Sequence, residues 1–371
     1  MDGVWLARPE RRAVGIPLAV KDLFDTAGLE TTYGSRIFAG HVPARTAPAV
    51  EALVGAGYAL AGKTNLHEFA YGTTSENPHF GVAPNPRFPG RVAGGSSGGN
   101  AAALVLGEAD AALGTDSGGS VRIPAACCGV AGFKPTYGLL SLEGCWPLAP
   151  SYDHAGPMAR SVRDCEGMLA SLVTDYEPRP VESPEELRVG VAWTEHADPL
   201  VRERVEAAAA LFPRRRAVAL PLLDWAPHDF MAEVADVHRE LFAEHERDYG
   251  EDLQIKITRC LAVTEAEGAA ASRERGRYEE RCLAAMEDLD VVLTPTLPCV
   301  APPVGAGAPG DLAVRETLVR FTLPCNALGW PALALPCGPA EDGLPASVQL
   351  AGRRGGDALV LAAGRLLEAA L

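Results

Sequence analysis

The chain has 371 residues, 47% of them hydrophobic, and its 33 basic and 48 acidic residues leave a net charge of −15. That balance repels a phosphate backbone and offers no basic footprint for nucleic acid, and no apolar stretch approaches the roughly 20 residues of a membrane span. Prolines and charges interrupt the N-terminal residues where a secretion signal needs an unbroken apolar run, and nine cysteines without paired zinc spacings read as reduced thiols, so a cytoplasmic, metal-independent chain is expected.

Residues 16–20 read as a buried strand, 47–55 as a helix and 58–62 as a second strand. An alanine-rich helix is expected over 100–106, directly after the glycine/serine run at 94–99. A short strand at 111–115 then leads into a second such run, and a helix follows at 124–128, with Cys127 and Cys128 as small apolar fillers. Residues 178–184, poor in apolar side chains, make the best linker, and the strand 187–193 follows. Arg214-Arg215-Arg216, the longest basic run, is read as a solvated strand entry. Helical spacing dominates over 199–211 and roughly 227–286, where His238 and His245 are read as a solvent-facing pair rather than metal ligands. Strands return at 291–293, 332–336 and 346–350, a helix closes the chain at 357–369, and the Pro/Gly/Ala loop at 301–310 is expected to be mobile. The alternation argues an α/β fold. The expected organisation is a single domain over 1–371, with a catalytic core at 1–177, a mainly helical covering region at 185–290 and C-terminal strands and helix at 291–371.

The two glycine/serine runs, GGSSGG at 94–99 and GTDSGGS at 114–120, carry the chemistry. Glycine has no Cβ, so such runs bring backbone N–H groups close to a reacting atom, and a serine among them can serve as nucleophile. Only Lys21, Lys63, Lys134 and Lys256 occur among the 33 basic residues, so arginine serves wherever plain charge suffices. Arginine does not deprotonate in proteins but a desolvated lysine does, which makes Lys21, inside the apolar run IPLAVKDLF, the candidate base. The bland alternative for Lys21 is a surface lysine or an ion-pair partner of Asp22 or Asp25, and Lys63 is read as a packing or hydrogen-bonding residue near the site. GGSSGG also contains G-x-S-x-G, the nucleophile elbow in which Ser96 or Ser97 would attack, but an elbow needs a strand before it and PNPRFPGRVA is broken by three prolines. Neither run has the GK[ST] ending of a phosphate loop.

Beside these runs stand GIPLAVKDLFDTAGLETTYGS, GKTNLHEFAYGTTSENPHFG, YDHAGPMARSVRD and, toward the C-terminus, VVLTPTLPCVAPPVG, NALGWPALALPCG and GLPASVQLAGRR. In this order they resemble the amidase signature family of serine hydrolases. The resemblance implies a large mixed, twisted β-sheet covered by helices on both faces, and a Ser/cis-Ser/Lys triad. Carried over position by position, it implies Lys21 as base, Ser96 as the cis-serine and Ser120 as nucleophile, with an oxyanion hole from the backbone of Ser117, Gly118, Gly119 and Ser120. It further implies Asp116 and Arg122 as a charge-assisted brace of the nucleophile loop, Ser97 and Thr115 as hydrogen-bonding supports, and Tyr71, Gly72, Thr73 and Thr74 as substrate-pocket wall. The chain departs from the pattern in length. The helical N-terminal segment of many relatives is not recognisable ahead of the first strand, and 157–295 is short, so substrate pocket and subunit contacts transfer least.

The implied reaction is hydrolysis of the C–N bond of a small amide, carbamate or urea-type compound through an acyl-enzyme, without a cofactor. Neutral Lys21 takes a proton from Ser96, Ser96 takes one from Ser120, and Ser120 attacks the carbonyl while the loop amides hold the oxyanion. A glutaminase-type subunit of a tRNA-dependent amidotransferase is one alternative. A noncatalytic binding protein on an amidase scaffold is another, and intact Lys21, Ser96 and Ser120 argue against it. The expected partners are a small-molecule amide and a second copy in a homodimer, with no direct binding of nucleic acid or membrane.

Overall fold

The computed structural model describes residues 3–11, 13–307, 309–310 and 312–371. The N-terminal part supplies β1 (Trp5–Ala7), β2 (Ile16–Lys21), α1 (Pro48–Gly55), β3 (Tyr58–Thr64) and a small separate hairpin of β4 (Glu76–Asn77) and β5 (Gly81–Val82). Then come α2 (Gly98–Val105), β6 (Ala111–Thr115), α3 (Arg122–Cys128), β7 (Ala131–Lys134), β8 (Ala155–Ala159) and α4 (Val162–Leu172). The middle holds β9 (Val189–Val191), α5 (Pro199–Ala209), β10 (Arg215–Ala217), α6 (His228–His245), α7 (Glu251–Leu261) and α8 (Glu265–Ala285). The C-terminal part adds β11 (Val291–Pro295), α9 (Ala313–Val319), α10 (Leu323–Leu328), β12 (Ala332–Pro339), β13 (Pro345–Ala351) and α11 (Asp357–Ala370).

Eleven strands form one mixed sheet in the order β1-β3-β2-β6-β8-β7-β12-β13-β11-β9-β10. The strand β2 runs parallel to both its neighbours, β3 and β6. From β6 to β11 the pairings are antiparallel, and β11, β9 and β10 close the far edge in parallel. Because side chains alternate along a strand, β2 sorts its residues between two layers. Leu18 and Val20 join the main core with Val50 and Leu53 of α1 and Met168 of α4, whereas Ala19 faces the alanine-rich layer of Ala101, Ala102 and Ala103 in α2 and Ala125 in α3. Small residues on that side let two helices lie close to the sheet, and Lys21 falls in the same row as Ala19.

Local signals set the helix ends. Pro48 opens α1, Ser161 caps α4 by accepting the Asp164 N–H, and Thr264 with Glu267 forms a capping box on α8. The segment 227–286 is three helices rather than one run. Since α6 packs against both α7 and α8, His238 is buried, its ring 5.1 Å from that of Phe69 and its Nδ1 3.0 Å from the Tyr249 hydroxyl. That corrects the solvent-facing reading. The arginine run does enter an exposed edge strand, β10. All nine cysteines are free, with Cys127 and Cys128 buried in α3. Within the loop 301–310, residue 308 lies outside the described residues, and Pro303 bridges to Arg91. Among the described residues no helix is long and apolar enough to cross a membrane.

Candidate active site

The parallel pair β2 and β6 ends side by side, with Val20 opposite Leu113, so their C-terminal ends deliver Lys21 and Thr115 to one place. Sites in α/β sheets form outside the carboxyl ends of parallel strands for this reason. The Lys21 ammonium nitrogen lies 2.7 Å from Ser96 Oγ and 2.7 Å from Thr115 Oγ1, and the side chain is fully buried. Burial lowers its pKa to about 7, against a smaller opposing pull from Cys145, Asp116 and Asp153. Among the described residues no carboxylate forms an ion pair with it. Asp22 is taken instead by Lys63 at 2.8 Å, which also donates to Thr31 Oγ1 at 2.7 Å, and Asp25 accepts the Tyr33 hydroxyl at 2.7 Å.

The Gly95–Ser96 peptide bond is cis. Gly95 has no room for a side chain: a Cβ would stand 2.8 Å from the backbone nitrogens of Thr74 and Ser75. The Ser96 carbonyl accepts the His67 N–H at 3.2 Å and the Ser75 hydroxyl at 3.1 Å, so the backbone around this serine is held from two sides. Ser97 donates its N–H to the Ser120 carbonyl at 3.2 Å and its hydroxyl to the Thr115 carbonyl at 3.4 Å, joining the two glycine/serine runs.

Asp116 organises the second run. Its carboxylate accepts the Gly119 N–H at 2.7 Å, the Val121 N–H at 3.2 Å, and Arg122 Nε and Nη2 at 3.0 and 2.9 Å. Burial opposes its ionisation, but the Arg122 guanidinium outweighs that and holds the carboxyl below the usual carboxylate range. Arg122 is itself fully buried and spans to the Thr322 carbonyl, Gln349 Oε1 and Asn326 Oδ1 at 2.9, 2.7 and 2.7 Å. Arg122 thus pairs with Asp116 from inside the protein and is not a surface charge. Gly119 adopts φ 129°, and a Cβ there would meet Thr322 Oγ1 at 2.3 Å, so the loop closes only with glycine.

The backbone donors of the loop divide. Gly119 is committed to Asp116, whereas the N–H groups of Ser117, Gly118 and Ser120 donate to no acceptor among the described residues. Ser117 anchors its hydroxyl on Asp153 at 2.5 Å. Ser120 is 7% exposed, and its hydroxyl has no hydrogen-bond partner among the described residues. His154 exchanges both backbone hydrogen bonds with Asp116, and its Nδ1 lies 2.7 Å from the Tyr152 carbonyl. Burial and nearby Lys134 keep its imidazole neutral, and no hydrogen bond joins it to Ser120.

Of the expected pocket wall, Thr73 and Thr74 line a cavity of about 290 Å³. Tyr71 and Gly72 do not: the Tyr71 hydroxyl turns to Cys260 Sγ at 3.3 Å, and the His67 ring covers Gly72. A second, smaller cavity of about 140 Å³ adjoins Thr115 and Ser117 and is walled by Leu23, Cys145, Trp146 and Leu148. On the other side of the loop, Leu323 and Val319 are the side chains nearest Gly118.

Sequence reasoning missed Thr322, Asn326 and Gln349. The available signal was a polar residue inside the apolar stretches NALGWPALAL and ASVQLAG, since buried amides need partners. Asn326 Nδ2 donates to the Asp116 carbonyl and Oδ1 at 2.8 and 2.9 Å while its own oxygen accepts from Arg122. Replacing Asn326 by alanine strands these buried groups, and chemical denaturation is expected to show a loss of ~1–3 kcal/mol.

The amidase family profile matches residues 6–361. Among curated relatives, a glutamyl-tRNA(Gln) amidotransferase subunit of Roseiflexus sp. (strain RS-1) is 37% identical over 388 residues, covering 92% of this chain and 79% of that protein. The subunit of the same name from Anaeromyxobacter dehalogenans (strain 2CP-C) is 36% identical over 414 residues, covering 98% and 84%. Among solved structures, one described as an amidase superposes with a TM-score of 0.88 at 39% identity, over 96% of this chain and 84% of that one. A 6-aminohexanoate cyclic dimer hydrolase complexed with substrate reaches a TM-score of 0.88 at 26% identity, over 100% and 90%. A near full-length profile match and shared architecture make this chain a member of the amidase (amidase signature) family, an enzyme acting on carbon–nitrogen bonds other than peptide bonds.

Proposed function

We propose that the chain hydrolyses a small amide, carbamate or urea-type substrate through Ser120, with Ser96 relaying protons to Lys21. The observation that carries this reading is the buried 2.7 Å contact between Lys21 and Ser96, made by a lysine whose pKa is lowered to about 7 and which has no carboxylate partner among the described residues. Neutral Lys21 accepts the Ser96 proton as Ser96 accepts that of Ser120, and Ser120 Oγ adds to the carbonyl carbon. The free N–H groups of Ser117, Gly118 and Ser120 suit an oxyanion, and Gly119 serves by fixing the loop on Asp116. Collapse of the tetrahedral adduct returns the proton through Ser96 to the leaving nitrogen, and water then cleaves the ester by the same relay.

The base sets the pH dependence. A protonated Lys21 cannot accept a proton, so kcat/KM is expected to rise with pH up to an apparent pKa near 7 and to fall about tenfold per pH unit below it. A flat rate profile between pH 5 and 9 on a stable substrate would remove Lys21 from that role.

A glutaminase-type subunit is the second reading, favoured by the names of the curated relatives. Assaying the purified single chain against aliphatic and aryl amides, carbamates, urea derivatives and glutamine separates the two. Turnover across small amides supports the first reading, glutamine alone supports the second, and no turnover of any C–N substrate contradicts both.

A further inference from the structure

The cavity of about 290 Å³ lies between the 67–78 segment, the start of α7 and α9. Its carboxylates are mostly engaged. Asp252 accepts Lys256 Nζ at 2.5 Å and the Gly310 N–H at 3.0 Å, Glu68 accepts the Ser35 hydroxyl at 2.7 Å and the Gly250 N–H at 2.9 Å, and Glu76 accepts the Gly305 N–H at 2.7 Å. Glu251 is exposed at the rim. Lys256 is therefore paired, but half-buried Arg315 is not. Among the described residues its guanidinium makes no hydrogen bond or ion pair and meets only the rings of Tyr71 and Phe230, at 5.6 and 5.9 Å from their centroids. The hydroxyls of Thr73 and Thr74 on the same cavity likewise make no hydrogen bond among the described residues.

Two lining elements of this cavity touch the backbone around Ser96, His67 by donating its N–H to the Ser96 carbonyl at 3.2 Å and the Thr73–Thr74 segment by packing on Gly95. The Thr73–Thr74 backbone rests on Gly95, where a Cβ would stand 2.9 Å from the Thr73 carbonyl carbon and 2.8 Å from the Thr74 nitrogen, and Gly95 precedes Ser96. A planar cation with five donors and no hydrogen-bond or ion-pair partner among the described residues matches a carboxylate bidentately, and the two threonine hydroxyls supply further donors. We propose that Arg315, with Thr73 and Thr74, holds a carboxylate carried by the substrate, so that the preferred amide is an anionic one; this rests on the amidase reading of Ser120.

The test compares matched pairs: succinamate, glutaramate, adipamate and N-acetyl ω-amino acids against the neutral amides of the same length. In the wild-type chain at least one anionic member is expected to exceed its neutral counterpart in kcat/KM, and Arg315→Gln is expected to reduce that ratio by ~10- to 100-fold, mainly through KM. The ratio is internal to each variant, so a poorly folded preparation does not imitate the effect. Calorimetric binding of the same compounds to Ser120→Ala gives a readout that needs no turnover, and Arg315→Gln in that background is expected to weaken the anionic compound by the same factor. A neutral preference at every length in both measurements, or an anionic preference that survives Arg315→Gln, overturns the proposal while leaving the amidase reading intact. Absence of turnover with retained, Arg315-dependent binding overturns the amidase reading instead.

Discussion

Ser120→Ala is expected to lower kcat/KM by on the order of 10⁴-fold or more while leaving stability within about 0.5 kcal/mol of the wild type. The two halves of this result have separate causes. The hydroxyl is the proposed nucleophile, and loss of the attacking group in a serine hydrolase leaves only binding and oxyanion stabilisation. Structurally it holds nothing: Ser120 Oγ has no partner among the described residues, so its removal strands no buried donor or acceptor. The carbonyl that anchors Ser97 belongs to the backbone and stays. A comparable loss of activity accompanied by unfolding would point to a structural role for the residue instead.

Lys21→Arg is expected to cost at least ~10²-fold and up to ~10⁴-fold in kcat/KM, the range for removing a general base. Arginine keeps a positive charge but cannot deprotonate, so it separates a base from a mere cation. The contrast is His154→Gln. His154 is neutral, its Nδ1 is turned to the Tyr152 and Asp116 carbonyls at 2.7 and 3.2 Å rather than to Ser120, and glutamine preserves its backbone pair with Asp116, so a far smaller loss is expected. If Lys21→Arg kept near wild-type activity while His154→Gln abolished it, the lysine relay would be replaced by a histidine mechanism.

Much of the site could be read in the sequence because its parts lie in short contiguous stretches. Lys21 ends an apolar strand, Ser96 precedes an alanine-rich helix, and Ser120 follows a strand that glycine then bends, so local pattern set these residues on their elements, whereas the roles of Ser96 and Ser120 came from the family resemblance of those stretches. What supports these residues was harder to read. Arg122 finds Thr322, Asn326 and Gln349 at separations of 200, 204 and 227 residues, and no local periodicity records a contact of that range. Nor did a row of loop amides reveal that one of them, at Gly119, is spent on Asp116. In the fold, β7 and β8 escaped because AGFK and AGPMA are short, glycine-bearing and buried on both faces, which removes the alternation that marks a half-exposed strand. The edge strand β1 and helices α4, α9 and α10 were likewise not anticipated. His238 was misplaced because helical spacing alone does not tell which face α7 and α8 will cover.

Covalent labelling with a fluorophosphonate, followed by peptide mapping, addresses the central assignment most directly, because only an activated serine attacks phosphorus rapidly. The account predicts a single adduct on Ser120, absent in Ser120→Ala and formed much more slowly in Lys21→Arg. An adduct on Ser96 or Ser97, with Ser120→Ala labelled as fast as the wild type, would contradict it.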